Sequence, residues 1–260
     1  MQECAVVALI PCRGSFPFPS FFQTRCMTRR KVKQELLRIL TETEGTAITK
    51  ALSVFEPIDL INPLFSALCS TSDKVKFNAV RAFGWAVPLI ADRDLESARI
   101  IMRRFLWSLN DESGGIGWGA PEAMAEIMSR DERLAKEYLH MLVSYMREDG
   151  PEPHQDGNYL ELPMLQRGLL WGVGRLCSSG NRQLRDFNIE EDLRAYLNAE
   201  DHVVRGLAIW CLTLLEDSTA QEQVLALRAD CSEVPIYLDG RIQNFTVQEL
   251  TDRYFRQVAA

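Results

Sequence analysis

The sequence predicts an all-α protein: an α–α superhelix of stacked two-helix repeats, with a small C-terminal β-hairpin plus a capping helix. Three observations lead there. In DKVKFNAVRAFG, starting at Asp73, the residues Val75, Ala79, Ala82 and Ala86 fall on one helical stripe behind an expected N-cap, Asp73. The same stripe recurs as Ile116, Ala120, Ala123, as Leu165, Leu169, Gly172 and as Val204, Ala208, Cys211. Successive copies lie about 40 to 50 residues apart, the size of one helix pair rather than of a strand unit or a heptad. The third observation is a change of period after residue 230, where β-forming residues flank Asp239-Gly240.

Each segment follows from these cues. Residues 1–26, with AVVALIPC and FPFPSFF, show no helical period and no basic residue before the apolar run. They are expected to be a disordered extension or to precede a natural start at Met27. The alternative is a targeting peptide, favoured by Arg13 and Arg25 and opposed by Glu3. Helices are then expected over 31–43, ended by Gly45, over 46–55, stopped by Glu56-Pro57, and over 59–69. The helix from Asp73 is expected to run to Ile90, kinked or ended by Pro88. Further helices follow at 94–109, 121–129, 132–147, 160–177, 189–197, 202–215 and 219–227. The longest polar break is DGPEPHQDGNY at 149–159. Asp-Gly centres a two-residue hairpin that places Tyr237 opposite Ile242, with Val234, Ile236, Leu238 and Phe245 on the other face. Thr246 and Glu249 form a capping box for a last helix to Val258. A lone hairpin is marginal in water, so it is expected to cover the open end of the stack, or else to offer a dimerisation edge. The domain division is 1–26, a repeat domain over 27–229, and a hairpin-and-helix unit over 230–260.

This recurrence resembles the HEAT-repeat superfamily of armadillo-type folds, in particular the short HEAT-like repeats of phycobilisome lyase proteins. Those repeats carry an Asp, a Val-Arg or Val-Lys, spaced alanines and a Leu-Gly. Asp73, Val75, Lys76, Ala79, Ala82 and Gly84 match, as do Val204, Arg205 and Ala208, whereas Gly117 and Gln166 replace the basic residue in the other copies. The resemblance covers roughly 46–229 and rests on the period. It implies a scaffold, a regulator of partner enzymes, a chromophore-lyase accessory protein, or a DNA alkylation-repair glycosylase, and the fold does not choose among them.

The composition is that of an ordinary globular chain, with 47% hydrophobic and 25% charged residues. No apolar run is long enough to span a bilayer. A net charge of −7 weighs against a general nucleic-acid binder, although a local basic groove remains compatible with it. Seven cysteines without a CxxC read as reduced thiols in a cytoplasmic protein, with Cys69, Cys177 and Cys211 in apolar runs and expected to be buried.

Three sites stand out. The turn DESGGIGWG, from Asp111 and Glu112 through Trp118 to Gly119, has four glycines and precedes Pro121. It reads either as a ligand-approach loop with anion-binding amides or as a tight inter-helix turn with Trp118 packed on its neighbour. It is not a P-loop or a dinucleotide fingerprint. Second, the repeat register sets Arg81, Glu122, Trp171 and Trp210 in one column, and Trp85, Glu126, Arg175 and Leu214 in the next. If the second helix of each pair lines the concave side, as the resemblance implies, these columns suit a peptide or a flat aromatic ligand. Alternatively they form inter-repeat ion pairs, Arg81 with Glu122 and Glu126 with Arg175, with both tryptophans in the core. Third, Glu152, His154 and Asp156 alternate acid and imidazole, but four-ligand spacing is missing, so a solvated loop is expected rather than a metal site. No nucleophile motif is present.

The functional expectation is a non-enzymatic scaffold that binds a protein partner through its concave face, with no cofactor and no metal. The alternatives are the glycosylase, which would draw on Trp118, Trp171 and Asp111 or Glu122, and the tetrapyrrole-binding accessory protein.

Overall fold

The computed structural model describes residues 28–110, 117–147 and 158–259. Six helix pairs follow one another: α1 (Arg29–Glu42) with α2 (Ile48–Leu52), α3 (Pro57–Leu68) with α4 (Asp73–Arg93), and α5 (Leu95–Leu109) with α6 (Ala120–Met128). Next come α7 (Glu132–Ser144) with α8 (Pro163–Ser178), α9 (Glu190–Ala195) with α10 (His202–Leu215), and α11 (Gln221–Ala226) with α12 (Val247–Val258). Strands β1 (Glu233–Leu238) and β2 (Arg241–Thr246) lie between the members of the last pair. This is the predicted α-solenoid with a small hairpin.

The second helices pack on one another in order, α4 on α6, α6 on α8, α8 on α10 and α10 on α12. The first helices bridge neighbouring pairs from the other side, α5 against α4 and α6, and α7 against α6. The closely packed row is the inner, concave layer. Its residues explain the close approach: Ala79, Ala82, Ala86, Ala123, Ala125 and Ala208 are fully buried along it. At Gly174 a Cβ would overlap the Trp210 ring of the next helix.

Several local expectations are corrected. Pro88 does not end α4, which runs on to Arg93, because Ile90 and Ala91 are buried beyond it and their packing outweighs one missing backbone bond. Asp73 is the first residue of α4, while Ser72 occupies the N-cap. The carboxylate caps are Asp94, Asp131 and Asp201, each accepting from amides of the turn that follows. Helix α8 starts at Pro163 rather than near Leu160, since proline suits the first turn and disfavours helix before it. Of the cysteines expected to be buried, Cys211 is, Cys177 is half-buried, and Cys69 is exposed at the C-terminus of α3. Among the described residues no helix is long and apolar enough to cross a membrane.

The hairpin forms as read: Tyr237 pairs with Ile242, and Asp239 and Gly240 adopt φ of 51° and 84°, the left-handed geometry of a type I′ turn. Thr246 and Glu249 close the capping box of α12. The placement of the hairpin differs from the expectation. Covering the end of the stack falls to α12, which packs on α10. The hairpin instead turns back over the concave face. Its base packs on α10, where a Cβ on Gly206 would lie 2.5 Å from Val234 Cγ2, and its tip reaches Gly45 and Thr46 of the first pair. The reason is composition: Val234, Ile236 and Tyr237 are apolar on both faces of β1, so both faces must be covered, which a flat end cap does not do.

Two outcomes follow. Gly174→Ala, which forces the Trp210 ring aside, should lower unfolding free energy by about 2 kcal/mol in urea titration. The acid limb of stability has a defined sign. Burial pushes the Asp201 and Asp131 carboxyls up, but Arg167 and Arg133 with the cap amides outweigh it and hold both low. Asp230 is brought to about 2 against its burial by Ser232 and Arg205. Groups depressed in the folded state favour folding above their unfolded value of about 4. Urea midpoints should therefore be level above about pH 5 and fall between about pH 4 and 2, with a shallower fall in Asp230→Asn.

Candidate functional site

The inner layer carries the two columns, and the structure places most of their members around the hairpin. Glu126 of α6 is buried and central. Its Oε1 accepts from Arg130 Nε at 2.9 Å and Nη2 at 2.5 Å, and its Oε2 accepts from Arg175 Nε of α8 at 2.6 Å. The expected Glu126–Arg175 pair thus exists, joined by Arg130. Among the described residues the expected Arg81–Glu122 pair does not form. Glu122, also buried, takes Lys76 Nζ at 3.3 Å instead, because Lys76 stands one turn nearer the start of α4, level with the first turn of α6. Glu122 presses on α8 where only a glycine, Gly168, leaves room for its carboxylate.

The aromatic residues divide. Trp171 is buried, and its indole N–H donates to the backbone carbonyl of Tyr237 at 3.0 Å. Tyr237 lies flat on Phe77 of α4, ring centroids 4.6 Å apart and planes 4° apart, with the Trp171 ring 5.2 Å from Phe77. Trp210 lies half-buried over Gly174, and Trp85 is half-buried against the core. The Arg81 charge faces the Tyr237 hydroxyl. Burial pushes that phenol up to about 12, and the Arg81 charge pulls the other way. Among the described residues neither the Tyr237 hydroxyl nor Arg81 Nε has a hydrogen-bond partner.

Beside this cluster a cavity of about 270 Å³ opens at the starts of the inner helices, lined by Lys76, Phe77, Glu122, Met164, Trp171 and Ile242 among others. Trp118 belongs to the same wall and is 38% exposed, with Met164 48% and Ile242 36% exposed around the mouth. Trp118 sits just before Gly119, whose φ of 69° begins α6. The same cavity is bordered by Ser70, Thr71 and Asp73 where α4 starts and by Val203 in the first turn of α10. Asp111 and Glu112, and the loop residues Glu152, His154 and Asp156, lie outside the described residues.

Sequence reasoning missed Phe77 and Tyr237. Phe77 sits off the alanine stripe of α4. Tyr237 falls on the hairpin face assigned away from the apolar one, so an aromatic side chain there was a signal that this face is covered too.

No protein-family model and no curated protein matches the chain. Solved structures do. An engineered protein aligns over 88% of this chain and 91% of its own, with 16% identity and a TM-score of 0.50. A designed armadillo repeat protein in complex with the peptide (KR)4 aligns over 88% of this chain and 92% of its own, with 14% identity and a TM-score of 0.50. At such identity the likeness concerns the fold, a repeat solenoid.

Glu126→Gln should cost about 3 kcal/mol in urea unfolding, since it leaves two guanidinium groups facing a neutral amide. Arg130→Met should cost less, because Glu126 keeps Arg175.

Proposed function

We propose that the chain is a non-enzymatic helical-repeat scaffold that binds a protein partner from its concave side. The observation that carries this reading is the apolar mouth formed by Trp118, Met164 and Ile242 over the cavity at the starts of the inner helices. Large apolar side chains left in water around a concavity suit the anchor residues of a partner. Repeat proteins gather their variable connections on one edge, and that edge serves binding in many of them. The designed neighbour, which holds a peptide, has the same fold, and this favours a peptide-like partner segment for this chain as well.

A glycosylase-like reading has one observation in its favour: Trp118, Trp171 and Glu122 line one cavity. The carboxylate is engaged by Lys76, and the net charge of −7 opposes phosphate binding. Salt-dependent binding of duplex DNA would support it. The accessory-protein reading rests on the repeat period alone, and a visible absorbance band on incubation with a tetrapyrrole would support it.

A photo-crosslinking residue at Met164 tests the scaffold. It should give a discrete adduct with a protein of the native lysate, while the same probe at Lys136 on α7 should not. Trp118→Ala should reduce the Met164 adduct about tenfold. Equal labelling from both positions, or none from Met164, would overturn the reading.

A further inference from the structure

The hairpin tip behaves geometrically as a bound ligand of the inner layer. The register makes Tyr237–Ile242 a pair whose backbone groups point out of the hairpin, because Leu238–Arg241 closes the two-residue turn. The outward carbonyl of Tyr237 is the one that Trp171 Nε1 holds. A helix side chain thus grips the main chain of an extended segment, while the side chain of that segment enters an aromatic slot on Phe77. Extended peptides are recognised by the same division of labour: main-chain hydrogen bonds for hold, a side-chain pocket for choice.

The fit of the hydroxyl end is incomplete. Tyr237 is more than nine-tenths buried, yet its hydroxyl and the facing Arg81 Nε lack partners among the described residues. Stacking and the carbonyl bond therefore hold the ring, and the desolvated phenol oxygen works against them. The attachment is carried mostly by one strand. Val234, Ile236 and Tyr237 of β1 are buried with Phe245, whereas Arg241, Ile242 and Asn244 of β2 are exposed. At the far end the tip rests on Gly45, where any Cβ would strike the Gly240 carbonyl and the Tyr237 hydroxyl.

We propose that the slot formed by Phe77, Trp171 and Arg81 is a recognition site for an aromatic residue carried on an extended peptide, and that Tyr237 is its internal occupant. The partner class is a peptide with Phe or Tyr in a strand-like stretch, entering as the hairpin tip lifts. The proposal rests on the scaffold reading and gives it a ligand. It also explains why the apolar mouth adjoins Ile242, since lifting the tip joins cavity and slot into one groove.

The test uses the full chain and fluorescein-labelled peptides with the sequence of residues 233–242, carrying Tyr, Phe or Ala at the position of Tyr237. Gly240→Ala, strained at φ 84° and set against Thr46, pushes the tip away while leaving every slot residue intact, and Tyr237→Ala empties the slot. Both variants should remain folded, bind the Tyr peptide at least about tenfold more tightly than the wild type does, and prefer it about tenfold over the Ala peptide. The Phe peptide should bind at least as tightly as the Tyr peptide, because a buried hydroxyl without a partner costs its desolvation. Adding Trp171→Phe should cost about fivefold by removing the indole donor. Folded variants that bind no peptide, or bind the Ala peptide equally, overturn the proposal. So does loss of the cooperative thermal transition in both variants, which makes the hairpin an integral part of the core. Crosslinking at Met164 does not depend on Tyr237, so a failed peptide assay beside an intact adduct removes the slot and leaves the scaffold.

Discussion

The close approach of consecutive inner helices is the constraint on which the rest of the structure depends. Alanines and glycines on the facing stripes of α4, α6, α8 and α10 let these helices pack with little side chain between them. The first helices of each pair carry Leu, Ile, Met and Phe and stand off on the other side. A stack that is tight on one side and broad on the other has to curve, and the curvature makes the concave face.

That tightness sets the electrostatics of the face. Glu122 and Glu126 project from α6 into the seam with α8, and both are buried there. An ionised carboxylate in such a place requires cations, which come from the helices on either side, Lys76 from α4 and Arg175 from α8, with Arg130 beyond the end of α6. The ion pairs join consecutive repeats, so they fix the register of the stack as well as neutralising it. Inter-repeat pairing along the columns holds for Glu126 with Arg175, while Glu122 pairs with Lys76 rather than Arg81.

The hairpin converts an open superhelix into one whose last pair touches its first. Gly45 and Thr46 meet Gly240, while Trp171 and Phe77 hold Tyr237 midway. Contacts this distant in sequence restrain the curvature of the whole stack, which nearest-neighbour packing alone leaves soft. They also leave the concave face half filled: the slot side is occupied, and the cavity side, with Trp118 and Met164, remains open.

The repeat architecture, the hairpin with its turn type and the final capping box were legible because each is written in short-range pattern: a 3.6-residue stripe, a Gly after an Asp, a Thr three residues before a Glu. The columns of charged and aromatic residues were legible as columns because the repeat period carries one helix onto the next. What lies above them was not, because the path of the chain from α11 back over α10, α8 and α4 is decided by long-range burial of both faces of β1. Nothing local to Val234–Phe245 encodes that Tyr237 ends on Phe77. Sequence by itself determined the units and the face they turn inward; the tertiary structure decided what covers that face, since only packing between residues more than 150 positions apart brings Tyr237 to α4.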